Sequence, residues 1–159
     1  MSLIKALYIV AIGLLLAAFI GFGIETFYPT PKAPEYPTGM DYKADGGPTA
    51  ETKAKQEEFD QKQKDYEPRI SKYNQNVAVI AIILAVLLLT ASLLGLGKVE
   101  VVGDAVTLGG VFTLFYGIIR AISSQENVFR FVAVGIALVI VVGLSYWRFL
   151  KGSKLLKIK

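Results

Sequence analysis

Apolar residues in this chain are gathered into four long runs instead of recurring along amphipathic segments. The runs occupy residues 1–24, 77–97, 104–122 and 131–149. Each is close to the roughly 20 residues that an α-helix needs to cross a bilayer. A soluble domain shows its apolar residues at periods of about 2 or 3.6 instead. The pattern therefore predicts an all-α integral membrane protein with four transmembrane helices.

One long polar segment, residues 25–76, separates the first two runs. Its first part, residues 25–48, contains five prolines and three tyrosines. Proline has a fixed φ and no amide hydrogen, so a proline-rich stretch excludes helix and favours extended, polyproline-like chain. We expect an extended Pro/Tyr-rich arm that can run beside the segment that follows and offer its tyrosines for packing.

The second part, residues 49–76, has the composition of an exposed helix. Thr49 is suited to cap its first turn, and acid-first pairs follow at Glu51/Lys55, Glu58/Lys62, Asp60/Lys64 and Asp65/Arg69. An apolar seam at spacings of 7, 4, 3 and 4 is formed by Phe59, Tyr66, Ile70, Tyr73 and Val77. The seam predicts an extramembrane helical extension of the second span, kinked or restarted at Pro68. A disordered charged linker is the alternative that composition allows.

The third run is the most polar of the four. Asp104 is suited to cap its start, and one face carries Gly109, Thr113, Tyr116, Gly117 and Arg120. A polar face in a membrane helix points toward other helices or toward water. Two interpretations remain open: tight helix packing with Arg120 extending to the membrane interface, or the lining of a permeation path.

Small residues also align in the first two runs. They are Gly13, Ala17 and Gly21 in the first, and Ala78, Ala81, Ala85 and Ser92 in the second. Small side chains let neighbouring helix backbones approach closely, because no large side chain separates them. We therefore expect these two faces to pack against other helices.

Composition excludes several kinds of chemistry. The chain has no Cys and no His, so disulfides, thiol chemistry, His-based metal sites and His general bases are absent. The centres of the runs lack the carboxylate that proton-coupled transporters carry. The acids of residues 51–67 alternate with lysines, as on a solvated face. We expect no enzyme activity, no metal and no cofactor, and no nucleic-acid binding, since basic residues lack interleaved aromatic platforms.

Charge also predicts the orientation in the membrane. Four spans place both termini on one side, and the basic tail, residues 150–159, contains four lysines and no acid. Because short loops and tails rich in Lys and Arg stay inside, we expect a protein of the cell membrane with both termini in the cytoplasm and residues 25–76 outside the cytoplasm. The eight Lys/Arg residues of 25–76 oppose this orientation, but charges in a long insert weigh less than those in a short tail.

Two classes of function remain. The first is a non-catalytic scaffold, assembly factor or accessory subunit, in contact with other membrane-protein subunits or with a second copy through Phe59, Tyr66, Ile70 and Tyr73. The second is a small oligomeric channel or transporter lined by the polar face of the third span. The direction of Gly109, Thr113 and Gly117 discriminates between them, because contact with other helices would leave a permeation path without its lining.

Overall fold

A computed structural model describes residues 2–39, 47–94 and 100–156, the last ten of them by their backbone alone. These ranges contain four α-helices: α1 (Leu3–Phe27), α2 (Ala50–Leu94), α3 (Glu100–Ile122) and α4 (Asn127–Leu156). All four are long and apolar enough to cross a membrane. The predicted all-α class and the four candidate spans are therefore confirmed.

Apart from Met1, three short pieces of the chain lie outside the described residues. They are residues 40–46 of the predicted arm, residues 95–99 at the end of the second predicted span, and residues 157–159 of the basic tail. The side chains of the tail's other lysines are also outside the description.

α2 is the longest helix and has two halves of different composition. It runs for 45 residues through Pro68 as a single helix, about 68 Å at 1.5 Å per residue. A hydrocarbon layer is only about 30 Å thick. The half beyond Val77 is apolar, so the polar half cannot lie in the same layer. We call residues 50–76 the stalk.

The start of the stalk follows the local sequence signals. Thr49 Oγ1 accepts a hydrogen bond from the amide of Thr52 at 3.2 Å, which confirms the predicted cap. The ion pairs Glu51–Lys55 and Glu58–Lys62 are formed at 2.8 and 2.6 Å. Arg69 departs from the prediction, because its Nε donates to the backbone carbonyl of Asp65 at 2.9 Å.

Helix ends differ from the predicted spans at three places. α1 continues to Phe27 and stops before Tyr28, the residue that precedes Pro29 and is therefore disfavoured in helix. α3 begins at Glu100, so the prediction that Asp104 caps it is wrong; Glu100 itself complements the dipole of the first turn. α4 extends from Asn127 to Leu156, into a tail rich in helix-forming Leu and Lys.

α3 packs against both α1 and α2 and is the centre of the bundle. At its crossing with α1, a Cβ atom added to Gly13 would lie 3.2 Å from the Ala105 carbonyl oxygen and from the Gly109 amide nitrogen. The small residues of α2 predicted to pack, Ala78, Ala81, Ala85 and Ser92, are all buried. In contrast, a Cβ atom on Gly21 would meet no atom within 4 Å, so the small-residue face of α1 is used only in part.

α4 is the most loosely attached helix. It joins the core through Ala133 and Ala137, which pack with Ile82 and Leu114. Its glycines Gly135 and Gly143 have no atom within 4 Å of an added Cβ. Much of α4 therefore presents apolar side chains outward, as a helix in lipid does.

Candidate functional site

The arm, described here over residues 28–39, lies along the stalk. The ring of Tyr28 stacks on that of Tyr73, with centroids 5.2 Å apart and planes 5° from parallel. Farther along, Tyr36 meets Phe59 edge to face at 5.2 Å. Eight residues of extended chain cover about 25 Å, and the fourteen stalk residues between these contacts rise about 21 Å. The two lengths agree with an extended course of these residues beside the stalk.

All four residues predicted to contact a partner belong to this surface. Phe59, Tyr66 and Ile70 are half-buried, and Tyr73 is 3% exposed. Tyr66 lines a groove with Pro31 and Pro34 of the arm. Ile70 and Tyr73 instead join an apolar cluster with Ile24 of α1. In the described part of the chain, the seam is thus covered by the chain's own arm and first helix.

Hydrogen bonds tie the first residues of the arm to the base of the stalk. The hydroxyl of Thr30 donates to the hydroxyl oxygen of Tyr73 at 3.0 Å. The amide of Asn76 donates to the hydroxyl oxygen of Tyr28 at 2.8 Å. Both stacked tyrosines therefore have their polar ends satisfied across the contact, which holds the two rings in one arrangement.

Arg120 connects the end of α3 to the same place. Its Nε donates to the Tyr116 hydroxyl at 3.1 Å, and one terminal nitrogen donates to Asn74 Oδ1 at 3.2 Å. Its guanidinium carbon also lies 5.8 Å from the Tyr73 ring centroid and 5.3 Å from that of Tyr116. These distances are those of cation–π contacts. Within the described residues Arg120 has no salt bridge, and its guanidinium is contacted instead by Tyr73, Tyr116 and the Asn74 amide.

The turn between α3 and α4 completes this junction. Asn74 Nδ2 donates to the Ser123 carbonyl at 3.2 Å, and Ser71 Oγ donates to the Ser124 carbonyl. The hydroxyl of Ser124 is fully buried and donates to the Ala121 carbonyl at 2.7 Å. Sequence reasoning did not identify Ser71 or Asn74. Their signal was a pair of small polar residues flanking Tyr73, on the seam side of the stalk.

The polar face predicted for the third span is divided between two neighbouring helices. A Cβ atom on Gly109 would lie 2.8 Å from Leu16 of α1, and one on Gly117 would lie 3.0 Å from Ile82 of α2. Thr113 is fully buried, and its hydroxyl donates to the Gly109 carbonyl at 2.8 Å. Together with Tyr116 and Arg120 in the junction, these residues serve packing, and they give no support to a permeation path.

A second polar contact joins α2 to α3 at the opposite end of the bundle. Ser92 Oγ lies 2.7 Å from the Gly103 carbonyl oxygen and 2.6 Å from Thr107 Oγ1, which is itself 2.9 Å from that carbonyl. The two hydroxyl groups have only two hydrogens for these three contacts, so both hydroxyls cannot donate fully to every partner at once. The arrangement fixes the two helices without a charge and is a structural contact.

Among the described residues, no three Asp or Glu side chains are grouped in a way that could hold a metal ion. Comparison of the chain with protein-family models, with curated proteins and with solved structures finds no match in any of the three. Function must therefore be inferred from the arm, the stalk and the junction at its base.

Proposed function

We propose that this chain is a non-catalytic protein of the cell membrane, a scaffold, assembly factor or accessory subunit that presents its stalk and arm to another membrane-protein subunit. The observation that carries the proposal is the seating of the arm on the stalk, through the Tyr28–Tyr73 and Tyr36–Phe59 contacts. A chain that needed only a connection between two spans could use a few residues. This one builds a projection about 40 Å long.

The physical role of the seam is to make that projection rigid. A single helix with a narrow apolar stripe is marginal in water, because little of its surface can be buried. Packing the arm against Phe59, Tyr66 and Tyr73 gives the stalk a second layer. The surface offered to a partner is then the ridge formed by the arm and the stalk together, and no longer the bare seam.

Tyr36 is the residue of the ridge best placed to anchor a partner. Its ring meets that of Phe59 edge to face, yet 67% of the residue is exposed. Tyrosine is enriched at the centres of protein interfaces, because it offers a large, stiff contact area and a hydroxyl. The charged stalk residues that line a groove with it include Glu58 and Lys62, which are exposed and suit the polar rim of an interface.

The orientation that fits this role has both termini in the cytoplasm and residues 25–76 outside. The lysine-rich tail supports it. Because the chain has no Cys, one cysteine introduced by Lys53→Cys can be labelled in intact cells with a membrane-impermeant maleimide. Labelling without permeabilisation is the expected result, and labelling only after permeabilisation would reverse the orientation.

The test of function is purification of the tagged chain from its native membrane in a gentle detergent. We expect a larger membrane protein to co-purify in fixed stoichiometry. Tyr36→Ala should reduce its recovery, whereas Tyr8→Ala, which removes a tyrosine 60% exposed near the start of α1, should not. A monodisperse homo-oligomer with no second protein would contradict the proposal and favour the channel class. Equal recovery with both variants would exclude the ridge as the contact.

A further inference from the structure

An open groove lies where the arm leaves the first span and meets the stalk. Its volume is about 590 Å³, and it is lined by Tyr28, Pro29, Pro31, Pro68, Arg69, Lys72 and Tyr73. This volume is within the range of small-molecule sites. Its aromatic and proline walls are stiff, and the stacked tyrosine pair is fixed by the hydrogen bonds from Thr30 and Asn76. A ligand entering the groove would therefore meet a largely preformed surface.

The groove carries two positive charges and no acid in its lining. Arg69 and Lys72 are three residues apart, which places them on one side of the helix, and both are exposed. Neither forms a salt bridge to any described residue. Arg69 uses its Nε for the Asp65 carbonyl, so its two terminal nitrogens remain as donors. Asp65 lines the next groove along the arm with Lys32, Lys62 and Arg69 itself, so Arg69 borders both grooves.

The groove lies close to the level of lipid headgroups. The apolar half of α2 begins at Val77, and at 1.5 Å per residue Lys72 is about 7 Å and Arg69 about 12 Å above it. The interfacial layer on each side of the hydrocarbon is about 5–8 Å thick. The long side chain of Lys72 can reach into that layer, and Arg69 stands just beyond it. Tyrosines such as Tyr28 and Tyr73 are typical of this layer.

We propose that this groove binds the headgroup of an anionic phospholipid, with the lipid phosphate accepting hydrogen bonds from Arg69 and Lys72. Both side chains carry hydrogen-bond donors and no acceptor atoms, so they suit phosphate oxygens. Two cations around one phosphate favour a headgroup with net negative charge over one that adds a quaternary amine. The inference is independent of the proposed partner, because it concerns only the base of the stalk.

Binding of the whole chain to single lipids tests the proposal. Detergent-purified protein is mixed with phosphatidylglycerol or phosphatidylcholine of identical acyl chains, and bound lipid is counted by native mass spectrometry. We expect a preference for phosphatidylglycerol. The double variant Arg69→Gln/Lys72→Gln should weaken its affinity about 30-fold, taking about 1 kcal/mol for each basic residue. The control Lys53→Gln/Lys64→Gln, with the same charge change on exposed stalk residues, should bind as the unaltered chain does.

Three results would overturn the inference. Equal binding of the two lipids would remove headgroup charge as the basis of recognition. Equal loss in the double variant and its control would show a general charge effect of the stalk. Displacement of the bound lipid by excess inorganic phosphate would identify a site for a free anion, because a headgroup held together with its acyl chains resists that competitor. Circular dichroism of both double variants excludes unfolding as the cause of any loss.

Discussion

Tyr36 meets Phe59 edge to face, with ring centroids 5.2 Å apart and planes inclined at 68°. The two residues come from segments of opposite character, a proline-rich extended arm and a charged helix. Edge-to-face pairs contribute about 0.5–1.5 kcal/mol beyond the area they bury. This contact is the outermost described aromatic pair between the arm and the stalk.

A pair of introduced cysteines can test that contact, because the chain has none of its own. Tyr36→Cys with Phe59→Cys should be joined by a short bismaleimide, since the two rings touch. The matched pair Tyr36→Cys with Gln61→Cys should not, because two residues along a helix turn a side chain by about 200°. Mass spectrometry of the digested protein measures the linked peptides. Equal linking of both pairs would mean that the arm does not keep to this side of the stalk.

The crossing of α1 and α3 at Gly13 predicts that substitution of this glycine destabilises the protein far more than substitution of another glycine of α1. A Cβ atom on Gly13 would lie 3.2 Å from two backbone atoms and from Leu108 Cβ, none of which can rotate away. We expect Gly13→Val to lower the free energy of unfolding by about 1–3 kcal/mol, seen as a lower midpoint of thermal unfolding in detergent.

The control is Gly21→Val, at a position where an added Cβ meets no atom within 4 Å. Both variants place the same β-branched residue in the same helix, so intrinsic helix propensity cancels between them. The midpoint of Gly21→Val should stay near that of the unaltered chain. A loss in Gly21→Val as large as in Gly13→Val would show that propensity, and not the crossing, sets the stability.

The polar face of the third span shows what a helical pattern can and cannot predict. Spacing at three and four residues grouped Gly109, Thr113 and Gly117 on one face, because that spacing returns to one side of a helix, and all three are buried. It could not predict that Gly109 would meet α1 while Gly117 meets α2. The neighbour of a membrane helix is set by packing between distant spans, and the sequence pattern of one helix contains no information on it.

The junction at the base of the stalk was beyond prediction for the same reason. Asn74 and Ser123, which it joins, are 49 residues apart, and each residue alone is an ordinary polar position near a span end. Local signals performed better, as the cap at Thr49 shows. They failed at Asp104. A residue suited to capping does not set the start of a helix when the helix can begin earlier, here at Glu100, with its backbone hydrogen bonds intact.

The ion pairs of the stalk predict a dependence on pH. The hydrogen bond from Lys55, and then its charge, hold the pKa of the Glu51 carboxyl below its ordinary value. Lys62 lowers the pKa of Glu58 in the same way. A pKa that is lower in the folded protein stabilises it above the ordinary glutamate pKa, and the effect disappears as pH falls through the folded-state value. The stalk pairs should therefore act at neutral pH, weaken as the pH falls below the ordinary glutamate pKa, and be lost below the lowered folded-state pKa.

Carboxyl chemical shifts followed by NMR during a pH titration measure this directly. Lys55→Gln should raise the pKa of Glu51 toward the ordinary value and leave that of Glu58 unchanged, and Lys62→Gln should do the reverse. Each variant is thus the control for the other. If Lys55→Gln left the pKa of Glu51 where it was, the ion pair could not be the cause of the shift.

The link between Arg120 and Asn74 predicts energetic coupling between the third span and the stalk. Arg120 contacts the Asn74 amide oxygen, the Tyr116 hydroxyl and two tyrosine rings. Arg120→Ala should lower the free energy of unfolding by about 1–3 kcal/mol, since it removes hydrogen bonds from a charged donor. Arg120→Lys should recover part of this loss, because an ammonium keeps the charge but lacks the planar fork.

A double-mutant cycle separates direct contact from general damage. Arg120→Ala combined with Asn74→Ala should destabilise by less than the sum of the single changes, with a coupling of about 0.5–3 kcal/mol. The reference cycle pairs Arg120→Ala with Ser92→Ala, which lies toward the other end of α2 and hydrogen-bonds Gly103 and Thr107 instead. These distant changes should add within about 0.5 kcal/mol. Because both cycles share Arg120→Ala, coupling confined to the Asn74 cycle can arise only from the junction, and additivity in both would show that Arg120 stabilises α3 without holding the stalk.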